Sequence, residues 1–137
     1  MARESALRQR VGALLRAHGF FVQPIESDTA PGIPDLYYLK QGTGGWVELK
    51  SVKVIPKKVS TSLFKSLNHP LSNEQANWLS LNYQNGGRGW VLAGYERTLW
   101  LVPGHIAYEQ FNDFTVTQLD KFKVTREELV EQLLFGQ

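Results

Sequence analysis

Gly32-Ile33-Pro34-Asp35-Leu36-Tyr37-Tyr38-Leu39-Lys40 and Trp46-Val47-Glu48-Leu49-Lys50 flank a glycine-rich link, Gln41-Gly42-Thr43-Gly44-Gly45. Two apolar, aromatic-rich runs about such a link read as a β-hairpin. The charges are what need explaining. Asp35 follows a proline at the start of the first run, and Glu48 and Lys50 lie two apart in the second. Alternation along a strand sends Glu48 and Lys50 to one face, with Val47 and Leu49 on the other. Glutamate and lysine are poor strand formers, so their presence among Trp, Val and Leu asks for a reason. One reason is a cross-strand salt bridge on a solvated sheet face. The other is a divalent-metal site, in which Asp35 and Glu48 supply hard oxygen ligands and Lys50 holds water or phosphate.

Register decides between them. A loop centred on Thr43 pairs Tyr38 with Glu48 and Leu36 with Lys50, which turns Asp35 away from both charges. The metal reading therefore requires an odd shift of register or a bulge near Pro34-Asp35, and an asymmetric, glycine-rich loop allows one.

Working outward, the 137 residues suit a single domain of α/β class, with a core over about 3–102 and a C-terminal extension over about 103–137. A hydrophobic content of 42% argues against disorder. There is no apolar run of about 18 residues, so no membrane span is expected. The N-terminus leads into an amphipathic helix, unlike a signal peptide. The absence of cysteine excludes disulfides and thiolate zinc sites, and the default expectation is an intracellular protein.

Net charge is only +2, but its distribution is uneven. Lys50, Lys53, Lys57, Lys58 and Lys65, with His69, fall in a stretch reaching Asn73 that contains no acidic residue. Such a patch tracks a phosphate backbone, or else it is a solvated lysine-rich loop. Its length, without clear secondary structure, points to a binding loop.

Periodicity predicts a first helix over about 3–18, closed by Gly19, with Leu7, Val11, Leu14 and Leu15 as its apolar stripe. At about 100° per residue Glu4 falls within that stripe, either as a favourable helix-dipole charge or as a third acid for the site. His18 falls in the same arc and reads as a partly buried structural residue. Phe20–Ile25 reads as a strand, followed by a loop whose Glu26 and Asp28 either add acidity near the site or are simply solvated. Ser72 and Gln75 have capping-box spacing at the start of a second helix, whose face carries Ala76, Leu79 and Tyr83. Gln75 is either only the cap's partner or a group reaching phosphate or water. Two strands follow, over about 89–95 and 98–102. A short helix near 104–110 fits, and a second capping box, Thr125 and Glu128, opens a final helix that packs on the core or on a second subunit.

The order of these pieces resembles the PD-(D/E)XK nuclease superfamily, and within it the small viral replication and repair nuclease (VRR-NUC) domains. The resemblance rests on Glu4, Gly32-Ile33-Pro34-Asp35, Glu48-Leu49-Lys50 and Leu71-Ser72-Asn73-Glu74-Gln75-Ala76-Asn77-Trp78-Leu79, and covers roughly 3–95. It implies a restriction-endonuclease-like core, a mixed central β-sheet flanked by α-helices, and metal-dependent hydrolysis of DNA. Carried over by position, Asp35, Glu48 and the Leu49 carbonyl would bind Mg²⁺, with Mn²⁺ able to substitute. Lys50 would orient the water, Glu4 would support the metal cluster, and Gln75 would position water or phosphate. The resemblance also implies a DNA-binding homodimer in a bacterial or phage-infected cell.

The function expected is therefore a Mg²⁺-dependent endonuclease for branched or junction DNA. Alternatives are a sequence-specific homing or restriction-type enzyme, a non-catalytic nucleic-acid-binding module on the same fold, and an interaction protein using the C-terminal helix. Alanine at Asp35, Glu48 or Lys50 is expected to abolish cleavage and leave folding intact.

Overall fold

The computed structural model describes residues 2–26 and 30–136, with side chains described from position 5 onward in the first helix. Among the described residues, helix α1 (Ala2–Ala17) leads to strand β1 (Phe21–Pro24) and the hairpin β2 (Leu36–Lys40) and β3 (Thr43–Ser51). A long loop then reaches α2 (Asn73–Gln84), β4 (Gly89–Tyr95) and β5 (Thr98–Pro103). The chain finishes with α3 (Gly104–Gln110), α4 (Val116–Leu119), β6 (Lys123–Val124) and α5 (Arg126–Phe135). The strands form one sheet in the order β1-β2-β3-β4-β5-β6, with β3 and β4 parallel and every other pair antiparallel. A parallel neighbour needs a crossover, and α2 provides it.

The sheet is covered on both faces. Leu7, Val11 and Leu15 of α1, with Leu129 and Leu133 of α5, pack on Leu36, Tyr38, Val47, Leu49, Trp90 and Leu92. On the other face Leu79 of α2, Ala107 of α3 and Leu63 and Leu67 of the long loop pack on Val91, Ala93, Trp100 and Val102. β4 alternates between the two cores and is apolar throughout, as a strand buried on both sides should be. The apolar face of α5 thus packs on the core, one of the two options open from sequence.

The hairpin differs from a loop centred on Thr43. Its connection is two residues, Gln41 and Gly42, at φ 51° and 83°, the left-handed pair of a tight hairpin turn. Lys40 pairs with Thr43 and Leu36 with Val47, an odd shift of three from the centred register, obtained by shortening the loop rather than by a bulge at Pro34-Asp35. Gly44 and Gly45, which read as loop, lie in β3. They are glycine because the hydroxyls of Tyr37 and Tyr38 lie over them, each 2.6 Å from where a Cβ would stand. Tyr38 is buried, donates to the Leu133 carbonyl at 2.7 Å and accepts from Trp90 Nε1 at 3.0 Å, so one hydroxyl ties the hairpin to α5 and β4.

Two further expectations change. His18 is exposed, with Nδ1 2.9 Å from the Leu14 carbonyl, and is not partly buried. Tyr83 is also exposed, because its ring stacks on His105 at 4.7 Å instead of entering the core.

Candidate active site

The odd register puts Asp35 on the face that carries Tyr37, Trp46, Glu48 and Lys50. Continued by two pairs beyond Leu36 and Val47, it sets Leu49 against Pro34, which has no N–H to give. The ladder is closed instead by a side chain: the Leu49 N–H donates to Asp35 Oδ2 at 2.8 Å. The Asp35 carbonyl accepts from the Ile25 N–H at 2.8 Å, which fixes the residue from the β1 side. Proline therefore ends β2 where the carboxylate has to turn toward β3.

Glu48 and Lys50 point from β3 toward the start of α2. They are 3% and 2% exposed, and Lys50 Nζ lies 3.3 Å from Glu48 Oε2. The pair is buried, so it is no salt bridge on a solvated face. Gln75 stands over both. Its Nε2 donates to Glu48 Oε2 at 2.9 Å, and its Oε1 accepts from Lys50 Nζ at 2.9 Å and from the Ser72 N–H at 3.0 Å. The capping box is complete, because the Gln75 N–H donates to Ser72 Oγ at 3.1 Å. Gln75 is thus the cap's partner, and the same amide also bridges the acid and the lysine. Lys50 Nζ also reaches the Pro70 carbonyl at 3.4 Å.

Gly32 explains the remaining part of the motif. At φ +84° it lies so close to α2 that an added Cβ would stand 2.2 Å from the Glu74 carbonyl oxygen. The loop bearing Asp35 and the helix bearing Gln75 are packed backbone to backbone there.

Glu4 lies on α1, and its side chain is outside the described residues, as is Asp28. One site residue was missed. Arg8 places NH2 3.5 Å from Asp35 Oδ1 and NH1 3.6 Å from Glu26 Oε1. The signal for it was available, since position 8 is one helical turn beyond Glu4 on the same helix. Glu26 thus reaches the site through Arg8. Lys53, Lys57, Lys58, Lys65 and His69 are all exposed on the long loop, outside the buried cluster. A cleft of about 390 Å³ lined by Leu7, Arg10, Ser51 and Lys53 adjoins the end of β3, and Asp35, Glu48, Lys50 and Gln75 are not among its walls.

Among the described residues no group of three or more His, Asp and Glu side chains gathers to hold a metal. The two carboxylates that share this face, Asp35 and Glu48, are nevertheless suited to a hard cation. Glu48 lies on β3 and Asp35 directly before β2, and a strand residue turns its N–H and C=O to the same side, so the Leu49 carbonyl opens toward the β2 side, as its N–H does. Mg²⁺ needs no more than one or two carboxylates when phosphate and water complete its shell.

Burial of Glu48 and Lys50 corrects the expectation about alanine. Truncating one partner leaves the other as an uncompensated buried charge, which costs about 3–5 kcal/mol. Glu48→Ala or Lys50→Ala will therefore weaken the fold as well as the chemistry.

A mixed sheet between two helical layers, with the acids where β2 and β3 part, is a restriction-endonuclease-like fold. No family model and no curated protein matches the sequence. Among solved structures the chain is similar to Archaeoglobus fulgidus Hjc, a Holliday junction resolvase from an archaeal hyperthermophile, with a TM-score of 0.63 and 16% identity. The match covers 95% of this chain and 99% of that one, so the likeness of fold runs nearly end to end.

Proposed function

We propose that this chain is a divalent-metal-dependent DNA endonuclease of PD-(D/E)XK type, acting on branched or junction DNA as a homodimer. What carries the reading is the buried contact of Glu48, Lys50 and Gln75 on the sheet face that, by register, also carries Asp35. Two of the four residues are charges buried in contact with each other. Buried ion pairs are seldom good for stability, so such a cluster is better understood as chemistry than as support. The junction substrate rests on the fold shared with a Holliday junction resolvase, and the dimer on the two-fold symmetry of paired cuts. Closeness to the VRR-NUC domains rests on the motif pieces quoted above.

A bound Mg²⁺ or Mn²⁺ would polarise the scissile phosphoryl group and lower the pKa of a coordinated water. Asp35, Glu48 and the Leu49 carbonyl would hold it. The chain's own contribution is orientation. The Leu49 N–H holds one Asp35 oxygen and Arg8 lies beside the other, which orients the carboxylate. Gln75, Glu48 and the Pro70 carbonyl hold Lys50 Nζ from three sides, and exchanging the long Pro70 contact would turn one proton to the attacking water or a phosphate oxygen. A cation fixed in a buried place stabilises charge that grows in the transition state without reorganising.

The test uses substitutions that keep size and avoid stranded charge: Asp35→Asn, Glu48→Gln and the double variant Glu48→Gln/Lys50→Met. Each is expected to cut a four-way junction at least about a hundredfold more slowly in Mg²⁺. Circular dichroism should show native structure, and calorimetric Mn²⁺ uptake should be lost in Asp35→Asn and Glu48→Gln. Metal-dependent cleavage at the wild-type rate by all three variants would refute the assignment. A linear duplex cut at one site, with the junction ignored, would favour the homing or restriction-type alternative. Metal-free DNA binding without cleavage would favour the non-catalytic module.

A further inference from the structure

The loop between Ser51 and Ser72 exposes apolar side chains that its own architecture could have buried. Its base is zipped: Val52 pairs with Leu67, the Lys53 N–H donates to the Ser66 carbonyl at 2.6 Å, and the Asn68 N–H donates to the Ser51 carbonyl at 2.8 Å. Its far side is stitched to the segment after α3. The Leu63 N–H donates to the Phe114 carbonyl at 2.8 Å, Ser62 pairs with Thr115, and Ser62 Oγ donates to the Asn112 carbonyl at 3.1 Å. Leu63, Ser66 and Leu67 are buried. Within that frame Phe64 opens a turn of 3-10 helix, Phe64–Ser66, with its N–H held by Ser62 Oγ at 3.2 Å. The residue is 49% exposed.

A large aromatic held outward on a fixed turn is the reverse of a greasy residue left over from folding. Around it in sequence lie Lys53, Lys57, Lys58 and Lys65, with no acidic residue from Lys50 to Asn73. Lysines supply a sequence-independent grip on phosphate, and a rigid aromatic supplies a platform for a base whose face is not already stacked. Continuous duplex hides those faces, whereas a branch point exposes them. We infer that Phe64 is a base-stacking residue, meeting an unstacked nucleobase at a branch point while the loop lysines hold the flanking phosphates. The inference rests on the reading of DNA as substrate, and adds the residue that tells branched from linear DNA.

Fluorescence anisotropy with a four-way junction and a linear duplex, both in EDTA, tests it on the full chain. Wild type should prefer the junction. Phe64→Ala should bind the junction about tenfold more weakly, the worth of one stacked base, with duplex affinity and melting temperature unchanged. Phe64→Trp should restore the preference, and 2-aminopurine at the branch point should be quenched by wild type and Phe64→Trp only. Unaltered junction binding by Phe64→Ala would overturn the inference and leave the nuclease reading standing. Equal loss on both substrates would overturn it too, because stacking requires selectivity. Wild-type protein that binds neither DNA would bring down both readings together.

Discussion

Gln75 is bonded to three groups at once, and that makes its contributions separable. Ser72→Ala removes only the cap bond and should cost about 1 kcal/mol in urea unfolding, with cleavage little changed. Gln75→Ala removes the same cap's reciprocal bond and also the amide between Glu48 and Lys50. Its cost should rise to about 2–3 kcal/mol, because charged buried groups lose a partner, and cleavage should fall with it. Equal kinetics for the two variants would mean that Gln75 serves the helix alone. Tyr38 gives a pH-dependent case. Burial pushes its hydroxyl up to about 12, with the Trp90 hydrogen bond opposing part of the rise. The unfolded chain releases this proton near pH 10 and the folded chain holds it, so the stabilising difference is full below pH 10 and lost as pH climbs toward 12. The loss is at most about 2–3 kcal/mol, and Tyr38→Phe should flatten that alkaline limb in denaturant titrations at pH 9 to 11.5.

Among the elements, the hairpin and α2 meet at Gly32. Gly32→Ala would need both a left-handed alanine and room that the Glu74 carbonyl occupies. It should destabilise by more than about 1 kcal/mol and slow cleavage, since retreat of the loop moves Asp35. A variant with unchanged melting temperature would show that the contact is looser than drawn. The same junction shows where sequence reading stops. Helical stripes, capping boxes and the two flanking strands were legible because each is a local pattern, and the acids and lysine were legible as anomalies within such patterns. The register was not, since it depended on Gln41 accepting a left-handed conformation that glycine usually takes. Nor were Gly44 and Gly45, whose emptiness answers to tyrosines across the ladder. Arg8 was overlooked because an arginine on a helix reads as solvated until its neighbour across the fold is known.

For the molecule as a whole, a net charge of +2 is too small to pull DNA in from every side, so its grip should come from the long loop. The logarithm of affinity should fall linearly with the logarithm of salt, and Lys57→Ala/Lys58→Ala should reduce that slope by roughly two on any DNA. A slope unaffected by the double variant would place the phosphate contacts elsewhere. The zipped base of this loop has one more consequence. With 51–53 and 66–68 clasped together and Ile55 packed on the core, the exposed stretch 57–61 lies outside the clasp, and altering its length changes closure entropy only logarithmically. The tip is therefore exchangeable, a cartridge that could be swapped to change what the loop touches while the strand carrying Lys50 stays where it is.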